Sequence, residues 1–260
     1  MKSVRIIVLG ALGRMGRAVL DAISNDASFH LKGAVIREGR TGRTQNLGSV
    51  PISTNLAEIR HAGAVVIDVT QAEAVSRNIA WAARAGIPYV LAVTGMDRKT
   101  EEAVRKAARK IPVVVASNLS VGIAVLHETV KVVAALLPEA DIEIVETHHR
   151  GKKDAPSGTA LALAGSILQA SPRKKRKVVL GHSQRGKMES GNIYIQSLRG
   201  GDVVGEHEVV FFADGERVKL GHVATSRAIF ARGALCAARF IAGKKPGLYS
   251  MQDVLGLGKS

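Results

Sequence analysis

The chain has 260 residues, with 37 Lys plus Arg against 22 Asp plus Glu, a formal net charge of +15, one cysteine, one Trp, three Tyr and five Phe. That length suits one large or two modest domains, and 46% hydrophobic with 23% charged residues excludes a disordered or collagen-like chain. The lone Cys236 excludes an internal disulfide and a cysteine-based metal cluster, so the chain reads as intracellular. The amino-terminal apolar run is too short for a signal peptide, and Pro112, Asn118 and Gly122 interrupt the longest uncharged run. No membrane segment is expected.

Val4 to Leu9, VRIIVL, has the continuous apolar, β-branched character of a strand buried on both faces. Helical spacing follows over Arg14 to Ile23, then a second apolar strand at Leu31 to Ile36 and a polar, glycine-rich loop to Ser49. Further strands are predicted at 64–69, 88–93 and 112–116, separated by Ala-rich helices at 72–84 and 98–109. This alternation implies right-handed crossovers and a parallel sheet. After Asn118 the rhythm changes to a long apolar helix near 121–137, a strand DIEIVET and a helix near 158–169. Three alternating segments from Asn192 to Val223 predict an antiparallel meander, and an apolar helix near 227–241 leads to a short tail. The expected division is a dinucleotide-binding domain at 1–119 and 229–260 and a substrate and oligomerisation domain at 120–228.

Between the first strand and first helix stand Gly10, Ala11, Leu12, Gly13, Arg14, Met15 and Gly16. Glycines let the backbone turn sharply and approach a pyrophosphate, and the new helix directs N–H groups and a positive dipole end at it. The spacing is GxxGxxG, which taken alone also fits a tight turn. An acid ending the second strand would grip an adenosine ribose, whereas arginine suits a 2′-phosphate. Here the strand ends Ile36, Arg37, Glu38, with Arg40 and Arg43 beyond, which leans to NADPH and leaves NADH open.

Residues 148–159, HHRGKKDAPSGT, lie between a strand and a helix. Ser157 can cap that helix, so that Gly158 and Thr159 present its positive end to a carboxylate. Histidine as a side-chain type can donate protons near neutral pH, which makes the adjacent His148 and His149 candidate proton donors, and Lys152 adds a fixed charge. Such a loop suits a small acid that becomes protonated, although a polar strand-to-helix loop also serves as a plain connection. No cysteine or acidic pair completes a metal set, so no metal is expected.

GALGRMG, ASNLSVG at 116–122, ETHHRGKKDAPSGTALALA at 146–164, RGGDVVGEHEVVFF at 199–212 and TSRAIFARGA at 225–234 together resemble the 4-hydroxy-tetrahydrodipicolinate (dihydrodipicolinate) reductase family, over nearly the whole chain. The resemblance implies an α/β fold: a Rossmann-type doubly wound parallel sheet plus an α+β domain with a mostly antiparallel open sheet. It also implies a cytoplasmic homotetramer reducing a small dicarboxylate with NADPH or NADH. By motif position, it makes His148 and Lys152 the acid–base residues and assigns His149, Lys152, Ser157, Gly158 and Thr159 to the substrate. It assigns Gly10, Leu12, Gly13, Arg14, Met15, Gly16, Arg37, Ala92, Val93, Thr94, Ala116, Ser117, Asn118 and Leu119 to the cofactor. Departures from the family pattern are Ile36 for an acid, Ala92 for the first glycine of GTTG, Leu119 for phenylalanine and Gly151 for a third histidine. The first of these removes a ribose partner and favours NADPH.

A second reading is another two-domain dehydrogenase, acting on a sugar, inositol or different small acid. Those enzymes usually carry Glu-Lys-Pro after a late strand, where this chain has LAVTGMD. A third is nucleic-acid binding through PRKKRKV at 172–178, which lacks interleaved aromatics or a recognisable module and reads instead as a solvated basic surface run. Residues 1–119 carry +8 of the charge, 120–228 carry +3 and the last 32 carry +4, so most of the excess lies with the expected nucleotide domain.

Overall fold

The structure, a computed structural model, describes residues 3–37, 50–171, 175–182 and 189–257. The chain divides into two compact units, Met1–Val121 with Arg227–Ser260, and Gly122–Ser226.

The first unit begins with β1 (Val4–Leu9), α1 (Arg14–Ser24), β2 (Phe29–Val35), the two-residue β3 (Ile52–Ser53) and a 3-10 turn at Leu56–Glu58. It continues with β4 (Ala64–Asp68), α2 (Ala72–Ala85), β5 (Tyr89–Leu91), α3 (Arg98–Ala108) and β6 (Pro112–Val115). The second unit holds α4 (Val121–Leu136), β7 (Asp141–His148), α5 (Gly158–Ala170), β8 (Val178–Leu180), β9 (Ile193–Arg199), β10 (Gly205–Ala213) and β11 (Glu216–Ala224). The chain then returns to the first unit with α6 (Ala228–Ile241), β12 (Gly247–Tyr249) and α7 (Met251–Val254).

The first sheet is parallel, in the order β12-β6-β5-β4-β1-β2-β3. Ile6, Ile7, Val8, Val66, Ile67, Tyr89, Val90, Val113 and Val114 are buried because helices cover both faces. On one face α2 and α3 bring Val75, Ile79, Ala82, Val104 and Ala107 onto Ile7, Leu9, Val66 and Tyr89. On the other, α6 packs on β4, β5 and β6 beside α1. Strand order runs away from β1 in opposite directions at β2 and β4, and at such a switch point the carboxyl ends of the strands diverge into a crevice. The residues read as a short tail supply β12, which extends this sheet by pairing with β6. At three residues, β12 is too short to announce itself by alternation.

The second sheet has the order β11-β10-β7-β9-β8 and is mixed. β10 pairs antiparallel with β7 and β11, while β7–β9 and β9–β8 are parallel. The expected meander is therefore corrected: only β10 and β11 form a hairpin, and β7 inserts between β9 and β10. The Gly200–Gly201 turn leads β9 away from β10 rather than into pairing with it. Ile142, Ile144, Ile193, Ile195, Val209 and Phe211 point from the sheet into a core shared with Ile123, Leu126 and Val130 of α4 and Ala160, Leu163 and Ile167 of α5. Alternation places Glu143, Val145 and Thr147 on the opposite face.

The surface reading of the basic run is also corrected at one residue. Residues 172–174 lie outside the described residues, but Arg176 is 7% exposed. Its guanidinium donates to Pro138 O at 2.6 Å, Ala140 O at 3.1 Å and Gly191 O at 3.0 Å. It thereby ties the α4–β7 connection to the start of β9. Arg176→Met strips donors from three carbonyls, and at about 1 kcal/mol or more for each acceptor left buried it is expected to lower stability by roughly 3 kcal/mol. Urea unfolding checks this against Lys175→Met, an exposed control expected to stay within about 0.5 kcal/mol.

Candidate functional site

The residues expected to hold a nucleotide collect at the carboxyl ends of β1, β2, β5 and β6. Gly10 N and Ala11 N donate to Val35 O, which joins the glycine turn to β2. Gly10 has φ +81°, and a Cβ on it would stand 2.9 Å from Val69 O, so the turn demands glycine here on both counts. A Cβ on Gly16 would stand 2.2 Å from Gly10 O and 2.7 Å from Ala11 Cα, which lets the first turn of α1 sit directly on the loop. Gly13 is the N-cap and no side chain caps α1, leaving its amino end available to an anion. A narrow backbone cradle at an uncapped helix start fits a pyrophosphate.

Arg37 is exposed at the end of β2. Ile36, by contrast, is 4% exposed and packed in the core, so the position commonly acidic in the family presents no carboxylate to a ribose. Glu38, Arg40 and Arg43 lie outside the described residues. Ala92 N donates to Asp68 O and Ala116 N to Leu91 O, which carries 92–94 and 116–119 off neighbouring strand ends. Asn118 Oδ1 accepts from Ser120 N at 2.8 Å, and Leu119 is buried.

Sequence reasoning passed over Asp68 in this unit. It is fully buried at the end of β4 and accepts from Thr70 N at 2.9 Å, Thr70 Oγ1 at 2.5 Å, Asn78 Nδ2 at 3.2 Å and the Tyr89 hydroxyl. This ties down the Val69–Thr70 segment that contacts Gly10. The signal lay in an acid closing an otherwise apolar strand, AVVID.

In the second unit, β7 alternates so that Ile142, Ile144, Glu146 and His148 share the buried face. The last two are polar because register sets polar neighbours beside them: Ser197 and Arg199 of β9 oppose Glu146 and His148, and His207 of β10 opposes Glu146 from the other side. Glu146 is fully buried. It accepts from Arg199 at 2.7 and 2.9 Å, from Ser157 N at 3.1 Å and from His148 Nδ1 at 2.5 Å. Burial favours the neutral acid, but the hydrogen bonds from Arg199, Ser197 and His148 prevail and hold its carboxyl down at about 2. Glu146 is therefore an acceptor only, and the proton in its bond with His148 belongs to Nδ1.

Burial lowers the His148 pKa, outweighing the opposite pull of Glu146. His207 packs edge to face on His148 with ring centroids 5.2 Å apart, and burial followed by the nearby His148 pushes it down to about 3. Its Nε2 meets Ser157 Oγ at 3.0 Å. Ser157 Oγ also accepts from Ala160 N at 3.1 Å, so it caps α5 as its position predicts. Gly158 and Thr159 open the helix, with open space within 4 Å of where a Gly158 Cβ would stand.

His149 leaves the strand, held by its N–H to Val203 O, and is half-buried where His148 is buried. Lys152 Nζ lies 2.9 Å from Asp154 Oδ2, and Arg199 donates to Asp154 O at 2.6 Å. The loop thus gathers His148, Lys152 and the α5 start around one buried carboxylate. Glu146, Arg199 and His207 stood inside the motifs but carried no assignment. Alternation exposes Glu146 as an acid on an apolar face, whereas Arg199 and His207 become its neighbours only through pairing.

A doubly wound sheet with a glycine cradle, together with a mixed-sheet unit bearing a histidine–lysine cluster, defines the class of two-domain nicotinamide-dependent oxidoreductases. Family models for the dihydrodipicolinate reductase N-terminus and C-terminus match residues 4–119 and 122–255. The chain belongs to the dihydrodipicolinate reductase family and is an NAD(P)H-dependent oxidoreductase. It is 42% identical to the 4-hydroxy-tetrahydrodipicolinate reductase of Pseudomonas fluorescens, over 97% of this chain and 99% of that one. The reductase of an Anaeromyxobacter species is 44% identical, over 98% of each chain. Among solved structures, dipicolinate-bound dihydrodipicolinate reductase from Paenisporosarcina sp. TG-14 superposes with a TM-score of 0.79 at 22% identity, covering 96% of this chain and 98% of that one. A myo-inositol dehydrogenase from Corynebacterium glutamicum has a TM-score of 0.60 at 14% identity, covering 98% and 93%, and shares the fold alone.

Proposed function

We infer that this protein reduces 4-hydroxy-tetrahydrodipicolinate to tetrahydrodipicolinate in the diaminopimelate and lysine pathway. Family membership over nearly the full length supports the reaction, and the site geometry is consistent with its chemistry. Loss of water from the hydroxy compound gives a cyclic unsaturated imine, whose reduction adds one hydride and one proton. Reduced nicotinamide supplies the hydride when bound.

The first unit is the nucleotide domain. Gly10, Leu12, Gly13, Arg14, Met15 and Gly16 hold the pyrophosphate, Arg37 the adenosine end, and Ala92, Val93, Thr94, Ala116, Ser117, Asn118 and Leu119 the remainder. An exposed Arg37 beside a buried Ile36 supports a preference for NADPH over NADH. The second unit takes the substrate. His148 delivers the proton, with Lys152 as the second acid–base group, and His149, Lys152, Ser157, Gly158 and Thr159 bind the carboxylates. The observation that carries this reading is the convergence of His148, Lys152 and the α5 amino end within one loop.

Homotetramer formation draws support from the outer face of the second sheet, where Leu198, Phe212 and Val223 are exposed opposite the α4–α5 side. A cytoplasmic location accords with the lone thiol, and no helix among the described residues is long and apolar enough to cross a membrane.

The deciding experiment couples the protein to dihydrodipicolinate synthase, with pyruvate and aspartate semialdehyde as the source of fresh substrate. Oxidation of NADPH, and slower oxidation of NADH, is expected only when the synthase is active. A flat trace with both nicotinamides would refute the activity.

A further inference from the structure

We propose that Glu146, clamped by Arg199, is a positioning residue that keeps a proton on His148 Nδ1 and so makes Nε2 the atom that gives a proton to the substrate. The proposal rests on the reading of His148 as the proton donor and adds to it the group that governs that donor. Four observations carry it. Glu146 is fully buried, a costly place for a carboxylate unless every lone pair is used. Its oxygens are occupied by Arg199 through two nitrogens, by Ser157 N and by His148 Nδ1, so it can neither turn away nor change partners. The register that places Arg199 opposite His148 fixes this arrangement in the sheet itself, on rigid strands rather than in the loop. Finally, a Cβ on Gly205 would lie 3.0 Å from His148 Nε2 and 3.2 Å from Cδ2, so glycine at this position spares the Nε2 edge of the imidazole a side chain that would crowd it.

The charged and titratable groups facing His148 are Glu146 on its own strand, Arg199 on β9, His207 on β10 and Lys152 in the loop. Arg199 and Lys152 oppose a second positive charge, and burial opposes it more strongly. His207 stays neutral because its own pKa is depressed to about 3. Among the described residues, Glu146 is thus the negative partner that favours the protonated form of His148, which the reaction consumes, against burial. In the transfer, the Nε2–H bond breaks, its electron pair remains on Nε2, and a C–H bond forms on the substrate carbon made electron-rich by hydride addition. The product imidazole still carries Nδ1–H against Glu146, so no rearrangement precedes reprotonation of Nε2 from solvent.

The sign of the pH effect follows. His148 donates below its own pKa, and activity falls as pH rises through it. Replacing Glu146 by neutral Gln removes the attraction, lowers that pKa further and moves the alkaline limb of kcat to lower pH. The test uses full-length protein labelled with ¹⁵N-histidine. It compares wild type, Glu146→Gln and Glu146→Gln/Arg199→Met, with His148→Gln identifying the His148 resonances and measuring turnover without the donor. Wild type should show the Nδ1–H tautomer at high pH. The His148 midpoint and the alkaline limb should both fall by at least about one pH unit, tenfold in proton affinity, in Glu146→Gln, and by less in the double variant, where the opposing charge of Arg199 is removed as well. Melting temperature lost in Glu146→Gln should return in the double variant, where no arginine is left buried and unpaired. An unchanged midpoint in Glu146→Gln, with the melting temperature lost there and regained in the double variant, would reduce the pair to a structural role. Full turnover in His148→Gln would overturn the donor reading itself, a result distinct from an unaltered His148 titration in Glu146→Gln.

Discussion

His148→Gln is expected to lower kcat about 10²- to 10⁴-fold while leaving the dissociation constant of dipicolinate within about threefold of wild type. Glutamine matches much of the imidazole's reach and can still hydrogen-bond to Glu146, but it has no proton to give near neutral pH. Dipicolinate supplies two carboxylates and accepts no hydride, so under the proposed assignment its affinity would report the Lys152 and α5 side of the site. A selective loss of kcat assigns the residue to the chemical step, where a transition-state interaction alone is removed. Equal losses of kcat and dipicolinate affinity would transfer His148 to binding. The coupled assay and calorimetric titration of dipicolinate provide the two measurements.

The second large effect is expected at Gly16. Its Cβ would meet the carbonyl of Gly10 at 2.2 Å and Ala11 backbone at 2.7 Å, and backbone on both sides leaves no flexible side chain to move. Gly16→Ala must therefore lift α1 off the turn. Overpacking of this kind costs up to about 3 kcal/mol, which lowers the melting temperature by roughly 6 to 12 °C. Because the same movement opens the cradle, affinity for NADPH should fall by about 100-fold or more, the equivalent of roughly 3 kcal/mol. Gly13→Ala provides the contrast. Its Cβ would lie 3.2 Å from Gly10 O, a contact that a few tenths of an ångström relieve, so the protein should melt near wild type and lose less affinity. Fluorescence titration with NADPH alongside thermal melts separates the two. Wild-type affinity in Gly16→Ala would mean that the turn does not hold the cofactor.

Much of the first unit is legible in the amino-acid sequence. Buried parallel strands advertise themselves as unbroken apolar runs, and VRIIVL forms β1 at the expected bounds. The helices at 72–84 and 98–109 end within a residue of their expected limits because caps and amphipathic spacing are local properties. β12 is hidden for the opposite reason. Three residues hold too little pattern, and the strand exists because β6 offers it an open edge. Arg176 shows the same limit among charges. A run of basic residues describes a surface in composition, yet three carbonyls close enough to bond one guanidinium arise only when the α4–β7 connection folds against the start of β9.

The candidate site divides along the same line. Sequence alone determined that a glycine turn opens the first helix, that Ser157 caps the α5 start, and that two histidines and Lys152 precede it. All are set by neighbours within a dozen positions. It also settled which face of β7 each residue takes, since alternation depends only on parity. Which strands flank β7 was decided by the tertiary structure alone. Arg199 and Glu146 are 53 positions apart, and Ser157 and His207 are 50 apart. A period-two pattern specifies the face a side chain points to but not the strand beside it. Sheet order therefore turned a buried acid of no evident purpose into the partner of His148.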